Sequence, residues 1–169
     1  GFKDKLWAIR RRSPERPIVY AIQVSPMDEH GYFTTGTVGM SNRMMVENAD
    51  IVILEIDENM PRTFGNTYIH VSEASCVYQG PNEMFYMPER PQSELDLKIG
   101  QFVADLIEDE STLQLGIGGI PNAVAVALRD KHNLGVHTEM LSDSLIDLYR
   151  AGVVTNAAKT LHKDKMVTA

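Results

Sequence analysis

The segment that most constrains the fold runs from residue 111 to 143 and combines two short strands with one helix. Residues 112–115 predict an apolar strand, and a Gly-rich turn follows at 116–119. Residues 123–128 predict a helix, and residues 135–138 a second strand. Strands joined by a single helix are parallel, and the crossover is nearly always right-handed. Both strands therefore end at the same edge of one sheet.

Glu139 follows the second of these strands directly. Open α/β sheets bind ligands in the crevice at the carboxyl ends of their strands, so the Gly turn and Glu139 are expected to face one crevice. Backbone N–H groups at a helix start favour negative charge. Pro121 suits the first helical position, where its missing N–H costs nothing. The spacing therefore predicts hydrogen-bond donors opposite an acid.

Charge and composition exclude several classes of function. The net charge is −7, and the longest basic run is Arg10-Arg11-Arg12, which argues against a nucleic-acid partner or an anionic membrane surface. No apolar run approaches the ~20 residues that a membrane span needs. The single Cys76 cannot form an internal disulfide, and no signal peptide is visible, so we expect a cytoplasmic protein.

The best candidate for a linker is residues 79–93, which contain three prolines and little periodicity. Ser93 is expected to cap a helix over 94–107, with Asp96 at the capping-box position. An apolar stripe at helical spacing runs along this helix: Leu95, Ile99, Phe102, Val103 and Leu106. Neither end of the chain reads as a natural boundary, so we expect a segment of a longer protein.

Three further stretches have clear patterns. Residues 17–24 predict a strand, and the nearly continuous apolar run at 51–56 is typical of a central parallel strand. Ser41 is expected to cap a helix that extends to about residue 49. Asp143 is expected to open the last clear helix, which Gly152 ends.

Several polar side chains have both a structural and a functional interpretation. The Gln114 amide could donate into the crevice or satisfy a nearby carbonyl. His137 is expected to be a core histidine. Asp28, Glu29 and His30 are adjacent on a turn, and such neighbours seldom converge on one ion, so no metal site is predicted.

Three kinds of protein remain compatible with the crevice. In a dinucleotide-binding domain, Gly116 and Gly118 imitate the Rossmann fingerprint and Glu139 binds a ribose hydroxyl, although Pro121 occupies the third glycine position. In an acyl-transfer enzyme, the carboxylate attacks a thioester and the N–H donors hold the oxyanion. In a scaffold domain, the Gly turn is only structural.

Longer motifs favour acyl transfer. QLGIGGIPNAV, GVHTEMLSD and YRAGVVTN, with VSPMDEHGYF and NMPRTFGNTYIHVSE upstream, resemble the acetyl-CoA hydrolase/transferase family. Within it the chain is most similar to the 4-hydroxybutyrate and butyryl-CoA:acetate CoA-transferases, from about residue 17 to 165.

The resemblance implies an α/β fold with parallel, open-sheet CoA-transferase-like (NagB/RpiA-like) halves in a three-layer α/β arrangement. Residues 1–78 are then the C-terminal part of a first domain, residues 79–93 are the linker, and residues 94–169 are the N-terminal part of a second domain.

The resemblance also assigns roles to residues. The family's nucleophilic glutamate matches Glu139, and its oxyanion and acyl site matches Gln114, Gly116 and Gly118. The proposed CoA or substrate contacts are Gly119, Asn122 and, on weaker grounds, Arg62. Many relatives have Asp where this chain has Asn122, and Ser where it has Thr138. Neither difference removes a needed group.

The implied reaction transfers CoA between a short-chain acyl-CoA and a free carboxylate (acetate, butyrate or 4-hydroxybutyrate) through a glutamyl-CoA thioester. Coenzyme A is a co-substrate, and neither a metal nor a redox cofactor is required. The alternatives are an acyl-CoA hydrolase, if water reaches the intermediate, and more distantly the Rossmann-type domain. The expected partners are acyl-CoA, small carboxylates and further copies of this chain in a homo-oligomer.

Overall fold

A computed structural model describes residues 2–80 and 91–168 of the chain. The chain divides into two compact units, residues 1–86 and residues 87–169. Most of the predicted linker lies outside the described residues. The assignment of residues 1–78 and 94–169 to two domains of one family stays a prediction.

Within its described residues, 2–80, the first unit contains two helices and five strands. In chain order these are α1 Phe2–Arg12, β1 Val19–Val24, β2 Tyr32–Thr34, α2 Asn42–Asn48, β3 Ile51–Ile56, β4 Tyr68–His70 and β5 Cys76–Gln79, with a 3₁₀ turn at Val71–Glu73. Strands β1, β3 and β5 form a parallel sheet with β3 in the centre. The central place of β3 agrees with its apolar sequence, because a parallel strand is covered on both faces. Strands β2 and β4 pair antiparallel as a separate ribbon.

The core of the first unit lies between these elements. It is formed by Val24, Phe33, Val46, Val52, Leu54 and Ile69. Three features of this unit could not be predicted from the sequence pattern. Helix α1 had no clear signal in the sequence. Ser41 precedes α2 with φ 64° and makes no side-chain cap, so the predicted cap is wrong. Cys76 is exposed, because β5 is an edge strand of its sheet.

The part of the second unit that the structure describes, residues 91–168, contains three helices and three strands. These are α3 Glu94–Asp105, β6 Thr112–Leu113, α4 Gly119–Ala127, β7 Gly135–Thr138, α5 Asp143–Arg150 and β8 Val167–Thr168. The strands form one parallel sheet in the order β6–β7–β8. The α/β class with parallel sheets is therefore confirmed, as are the starts of α3 and α5.

Helices α3 and α4 pack through small residues. Gly100 and Ala104 are buried, and a Cβ on Gly100 would lie 2.6 Å from the carbonyl carbon of Ala123. Phe102 and Leu106 instead lie on the surface of this unit, 72% and 83% exposed. The apolar stripe predicted for α3 is thus not its packed face, because two helix backbones approach most closely where the side chains are smallest.

The core of the second unit contains residues from its helices, from its strands and from the segments between them. It is formed by Ala104, Leu113, Val124, Ala125, Leu128, Leu134, Val136, Leu145, Leu148, Val153 and Val154.

Ser93 and Asp96 form the predicted capping box at the start of α3: the Asp96 N–H donates to Ser93 Oγ at 3.1 Å, and the Ser93 N–H donates to Asp96 Oδ2 at 2.9 Å. None of the helices in the described part of the chain has the length and apolarity to span a bilayer.

Candidate active site

The candidate site lies at the carboxyl edge of the second unit's sheet. Strands β6 and β7 are parallel neighbours, with Thr112 paired to Gly135 and Leu113 paired to Val136. The Gly turn follows β6 and Glu139 follows β7, so both leave the sheet at one edge. This confirms the strand arrangement predicted from the crossover. The ladder is shorter than predicted, because β6 ends at Leu113 and not at residue 115.

The Gly turn ends at the start of α4. Gly118 is the N-cap residue with φ 123°, a backbone conformation that strongly favours glycine, and it offers no side-chain cap. The first N–H groups of α4 therefore point out of the helix without a capping side chain. Pro121 was predicted to be the first residue of α4, but it is the third. It still costs no hydrogen bond there, since the first four N–H groups have no partner within a helix.

Gly119 makes a close contact with the first turn of α3. A Cβ at this position would lie 2.7 Å from Asp96 Oδ2, the same oxygen that closes the capping box of α3. The N-termini of α3 and α4 therefore meet at Gly119. Gly116 has more room, because a Cβ at this position would lie 3.9 Å from its nearest neighbour, Pro121 Cγ.

Glu139 is exposed immediately beyond β7. Its main-chain carbonyl accepts a hydrogen bond from Thr168 Oγ1 at 3.2 Å, and Thr138 pairs with Thr168 in the parallel ladder between β7 and β8. The backbone at Glu139 is thus held by the strand beside it, while the carboxylate remains accessible to a ligand.

Gln114 and Asn122 lie on either side of the Gly turn. Gln114 is exposed, directly after β6. The Asn122 N–H donates to the Gly118 carbonyl at 3.2 Å, and its Oδ1 accepts from Ser144 Oγ at 3.2 Å, which links α4 to the start of α5. The catalytic and binding roles of both residues stay predictions.

Arg62 belongs to the first unit, where it has several partners of its own. It donates to the Asp28 carboxylate at 2.9 Å and to the Pro26 carbonyl at 2.8 Å. The Asp28 carboxylate also accepts from the N–H groups of Tyr32 and His30, and these bonds, with Arg62, hold the pKa of Asp28 below its usual value. Asp28 thus shapes a turn, and a substrate contact by Arg62 stays a prediction.

Two side chains that the sequence reading missed support strand β7. The Val136 N–H donates to Asn156 Oδ1 at 2.8 Å, and the Val136 carbonyl accepts from Lys159 Nζ at 2.8 Å. Lys159 Nζ also donates to the Lys165 carbonyl at 2.7 Å, and burial lowers the pKa of this ammonium. The one local signal is Asn156 itself, which has φ 62°, a conformation that asparagine tolerates better than most residues.

His137 differs from the sequence prediction. It is exposed and not in the core, because the buried positions of β7 are Gly135, Val136 and Thr138. Its ring lies 6.1 Å from that of His162, centroid to centroid, in an edge-to-face arrangement. Among the residues described, no group of three or more His, Cys, Asp or Glu side chains is arranged to hold a metal ion.

The fold and the site together define a class of structure. It is a parallel α/β unit in which an acid and a Gly-rich helix start lie at the same edge of the sheet. The model of the acetyl-CoA hydrolase/transferase N-terminal domain matches residues 17–111, more than half of the chain. The chain therefore belongs to the acetyl-CoA hydrolase/transferase family, as its motifs predicted.

The relatives include enzymes named for CoA transfer. The 4-hydroxybutyrate coenzyme A transferase of Clostridium kluyveri is 42% identical over 149 residues, which cover 88% of this chain and 35% of that protein. The butyryl-CoA:acetate CoA-transferase of Anaerostipes caccae is 38% identical over 157 residues, covering 89% and 35%.

A solved structure gives the same result for the fold. The crystal structure of a 4-hydroxybutyrate CoA-transferase from Porphyromonas gingivalis superposes with a TM-score of 0.85 at 38% identity, covering 95% of this chain and 41% of that one. The chain spans about a third of the length of the curated relatives that it matches.

Proposed function

We propose that the full-length protein is a CoA-transferase that moves CoA between a short-chain acyl-CoA and a free carboxylate, with Glu139 as the nucleophile. The observation that carries the proposal is the parallel pairing of β6 with β7, because it brings the Gly turn and Glu139 to one edge of the sheet. The names of the relatives support acetate, butyrate or 4-hydroxybutyrate as the carboxylates.

The proposed reaction is a double displacement. The Glu139 carboxylate attacks the thioester carbonyl of the donor, the C–S bond breaks, and CoA thiolate leaves a mixed anhydride on Glu139. The thiolate then attacks the glutamyl carbonyl, which gives a glutamyl-CoA thioester and releases the donor's carboxylate. An acceptor carboxylate attacks this thioester, and the same steps in reverse form the new acyl-CoA and free Glu139. Covalent intermediates divide one difficult step into easier ones.

The Gly turn is proposed to stabilise the negative oxygen that forms in each of these attacks. The uncapped N–H groups at the start of α4 favour an anion, and the Gln114 amide is proposed to add one donor from the end of β6. The flexible backbone at Gly116 and Gly118 allows close approach of the thioester. Donors fixed before the reaction lower its barrier, because they need no reorganisation as the charge develops.

The remaining predicted contacts complete the proposal. Gly119 and Asn122 are proposed to line the CoA or acyl subsite beside the turn, and Arg62 to meet a carboxylate or a CoA phosphate. Coenzyme A serves as co-substrate, and the steps above consume no redox equivalents and need no metal. A homo-oligomer is proposed for the full-length protein, which we expect in the cytoplasm.

The decisive test is exchange of CoA between acetyl-CoA and butyrate by full-length protein, with Glu139→Gln compared to the wild type. An amide cannot form the anhydride, so exchange by Glu139→Gln should approach the background rate. Borohydride reduction after incubation with acetyl-CoA, followed by intact mass, should modify the wild type and not the variant. Glu108→Gln is the matched control, because Glu108 is also exposed in the second unit but lies in the loop that precedes β6, at the opposite end of this strand from the Gly turn.

Gln114→Ala should weaken exchange without abolishing it. Loss of one oxyanion donor costs on the order of 10²–10³ in rate, and the backbone donors of the turn remain. A tenfold loss of rate corresponds to only ~1.4 kcal/mol of activation free energy. If Glu139→Gln keeps more than about a tenth of wild-type turnover, Glu139 is therefore not the nucleophile. Release of free CoA without a carboxylate acceptor would favour a hydrolase, and tight NAD binding without exchange would favour the dinucleotide alternative.

A further inference from the structure

One buried hydroxyl ties the two halves of the candidate site together. Thr138 is the last residue of β7 and is 4% exposed. Its Oγ1 donates a hydrogen bond to the Leu115 carbonyl at 2.9 Å, and the Leu115 N–H donates to the same Oγ1 at 3.3 Å. A single side chain thus satisfies both main-chain polar groups of Leu115, two residues beyond the end of β6.

This pair of bonds continues the β6–β7 connection where the backbone ladder has stopped. The last ladder pair joins Leu113 to Val136. Without the hydroxyl of Thr138, the chain between β6 and the Gly turn would have no bond to β7 at Leu115. The Thr138 side chain therefore replaces the backbone hydrogen bonds that a further ladder pair would make, at the point where the chain leaves the sheet.

The two bonded residues are the immediate neighbours of the proposed catalytic groups. Leu115 lies between Gln114 and Gly116, and Thr138 directly precedes Glu139. Any change in the distance between Leu115 and Thr138 therefore changes the position of the nucleophile relative to the oxyanion donors. Neither Leu115 nor Thr138 needs to touch the substrate for this effect.

The other side of the nucleophile is fixed as well. Thr168 pairs with Thr138 in the ladder between β7 and β8, and its hydroxyl donates to the Glu139 carbonyl at 3.2 Å. With this side held, Thr138 is the element that sets the distance to the Gly turn.

We propose that Thr138 is a positioning residue for the transfer reaction, and that its hydroxyl, through Leu115, holds the oxyanion donors at reacting distance from the Glu139 carboxylate. The inference rests on the proposed function. It predicts that the hydroxyl matters to the chemical step and that the methyl group matters only to packing.

The test compares Thr138→Val, which keeps the shape and removes the hydroxyl, with Thr138→Ser, which keeps the hydroxyl. A misplacement of about 1 Å costs on the order of 10² in rate, so kcat for Thr138→Val should fall roughly 10- to 100-fold. The KM for acyl-CoA should change by less than kcat does, since the proposed role acts on the chemical step. Thr138→Ser should keep kcat within about 3-fold. Thr160→Val is the matched control, because Thr160 is exposed in the same unit and none of the hydrogen bonds described for this unit involves its hydroxyl.

A second pair of variants guards against a folding defect. Thr138→Ser and Thr138→Ala both lack the methyl group and differ only in the hydroxyl. If Thr138→Val does not fold, the inference requires that Ser and Ala still differ about 10-fold or more in kcat. Hydrogen exchange gives an independent readout, because the Leu115 amide should exchange faster in Val and Ala variants and as slowly as wild type in Ser.

The outcomes separate this inference from the proposed function. If Glu139→Gln is inactive while Thr138→Val and Thr138→Ala both match the wild type in kcat, the positioning role is overturned and the nucleophile stands. If Glu139→Gln retains exchange, the proposed function fails, whatever the Thr138 variants do. A rise in KM at unchanged kcat would also overturn the positioning role, since it would mean that Thr138 acts on binding and not on the reaction.

Discussion

The contact between α3 and α4 gives a prediction that depends on one hydrogen atom being replaced by a methyl group. At Gly100 a Cβ would lie 2.6 Å from the carbonyl carbon of Ala123, 2.8 Å from its oxygen and 2.9 Å from its Cβ. The nearest of these is about 0.8 Å short of an ordinary contact of 3.4 Å. Two of the three atoms are backbone, so no rotamer change relieves the overlap, and the helices must separate.

The magnitude of Gly100→Ala follows from two opposing effects. Overpacking of a well-packed core costs about 1–3 kcal/mol, and a backbone collision should lie in the upper part of that range. Replacing a helical Gly by Ala returns about 1 kcal/mol of helix propensity. The second unit should therefore lose roughly 1–2 kcal/mol, which for a unit of this size lowers Tm by about 4–16 °C.

The assay is urea unfolding followed by circular dichroism, with amide hydrogen exchange over α3 and α4 to localise the effect. Lys98→Ala, on the exposed face of the same helix, is the control and should change stability by less than about 0.5 kcal/mol. A Gly100→Ala protein as stable as the wild type, with unchanged protection in α4, would refute the close approach of the two helices.

Two further predictions concern other parts of the second unit. Ser93→Ala should cost about 1 kcal/mol by removing the cap of α3, whereas Ser142→Ala should cost clearly less, because Ser142 makes no cap to α5; equal losses in urea unfolding would contradict this. Burial lowers the pKa of Lys159, so the folded protein loses this proton at lower pH than the unfolded chain, and stability from this group should rise with pH up to about 10.5, the ordinary pKa of a lysine side chain. The free energy of unfolding of Lys159→Met, measured over the alkaline range, should lack that rise relative to wild type, and parallel curves would contradict the assignment.

The interactions that the sequence predicted well are those between residues close along the chain. The capping box of Ser93 and Asp96 spans three residues, and the order strand, Gly turn, helix and strand is written within residues 111–143. Because two strands joined by a single helix are parallel, the turn and Glu139 must then leave the sheet at the same edge. The common edge of the Gly turn and Glu139 was thus predictable from the sequence, and the family motifs gave Glu139 its proposed role.

Other features were decided by contacts between distant residues. Periodicity marked the large apolar residues of α3, yet α4 packs against Gly100 and Ala104, since close approach of two backbones requires small side chains. Ser41 has the sequence of a cap, but its backbone is left-handed and its side chain makes no capping hydrogen bond.

What the sequence by itself determined is the order of elements, the α/β class and the family, because these depend on local propensity, on periodicity and on motifs that stay together along the chain. Only the tertiary structure decided how the sheet edge is held. Thr138 reaches Leu115 across 23 positions, and Lys159 reaches Val136 across 23 as well. A hydroxyl or an ammonium carries no sign in the sequence of which distant carbonyl it will satisfy, because that partner is chosen by the packing of the strands between them.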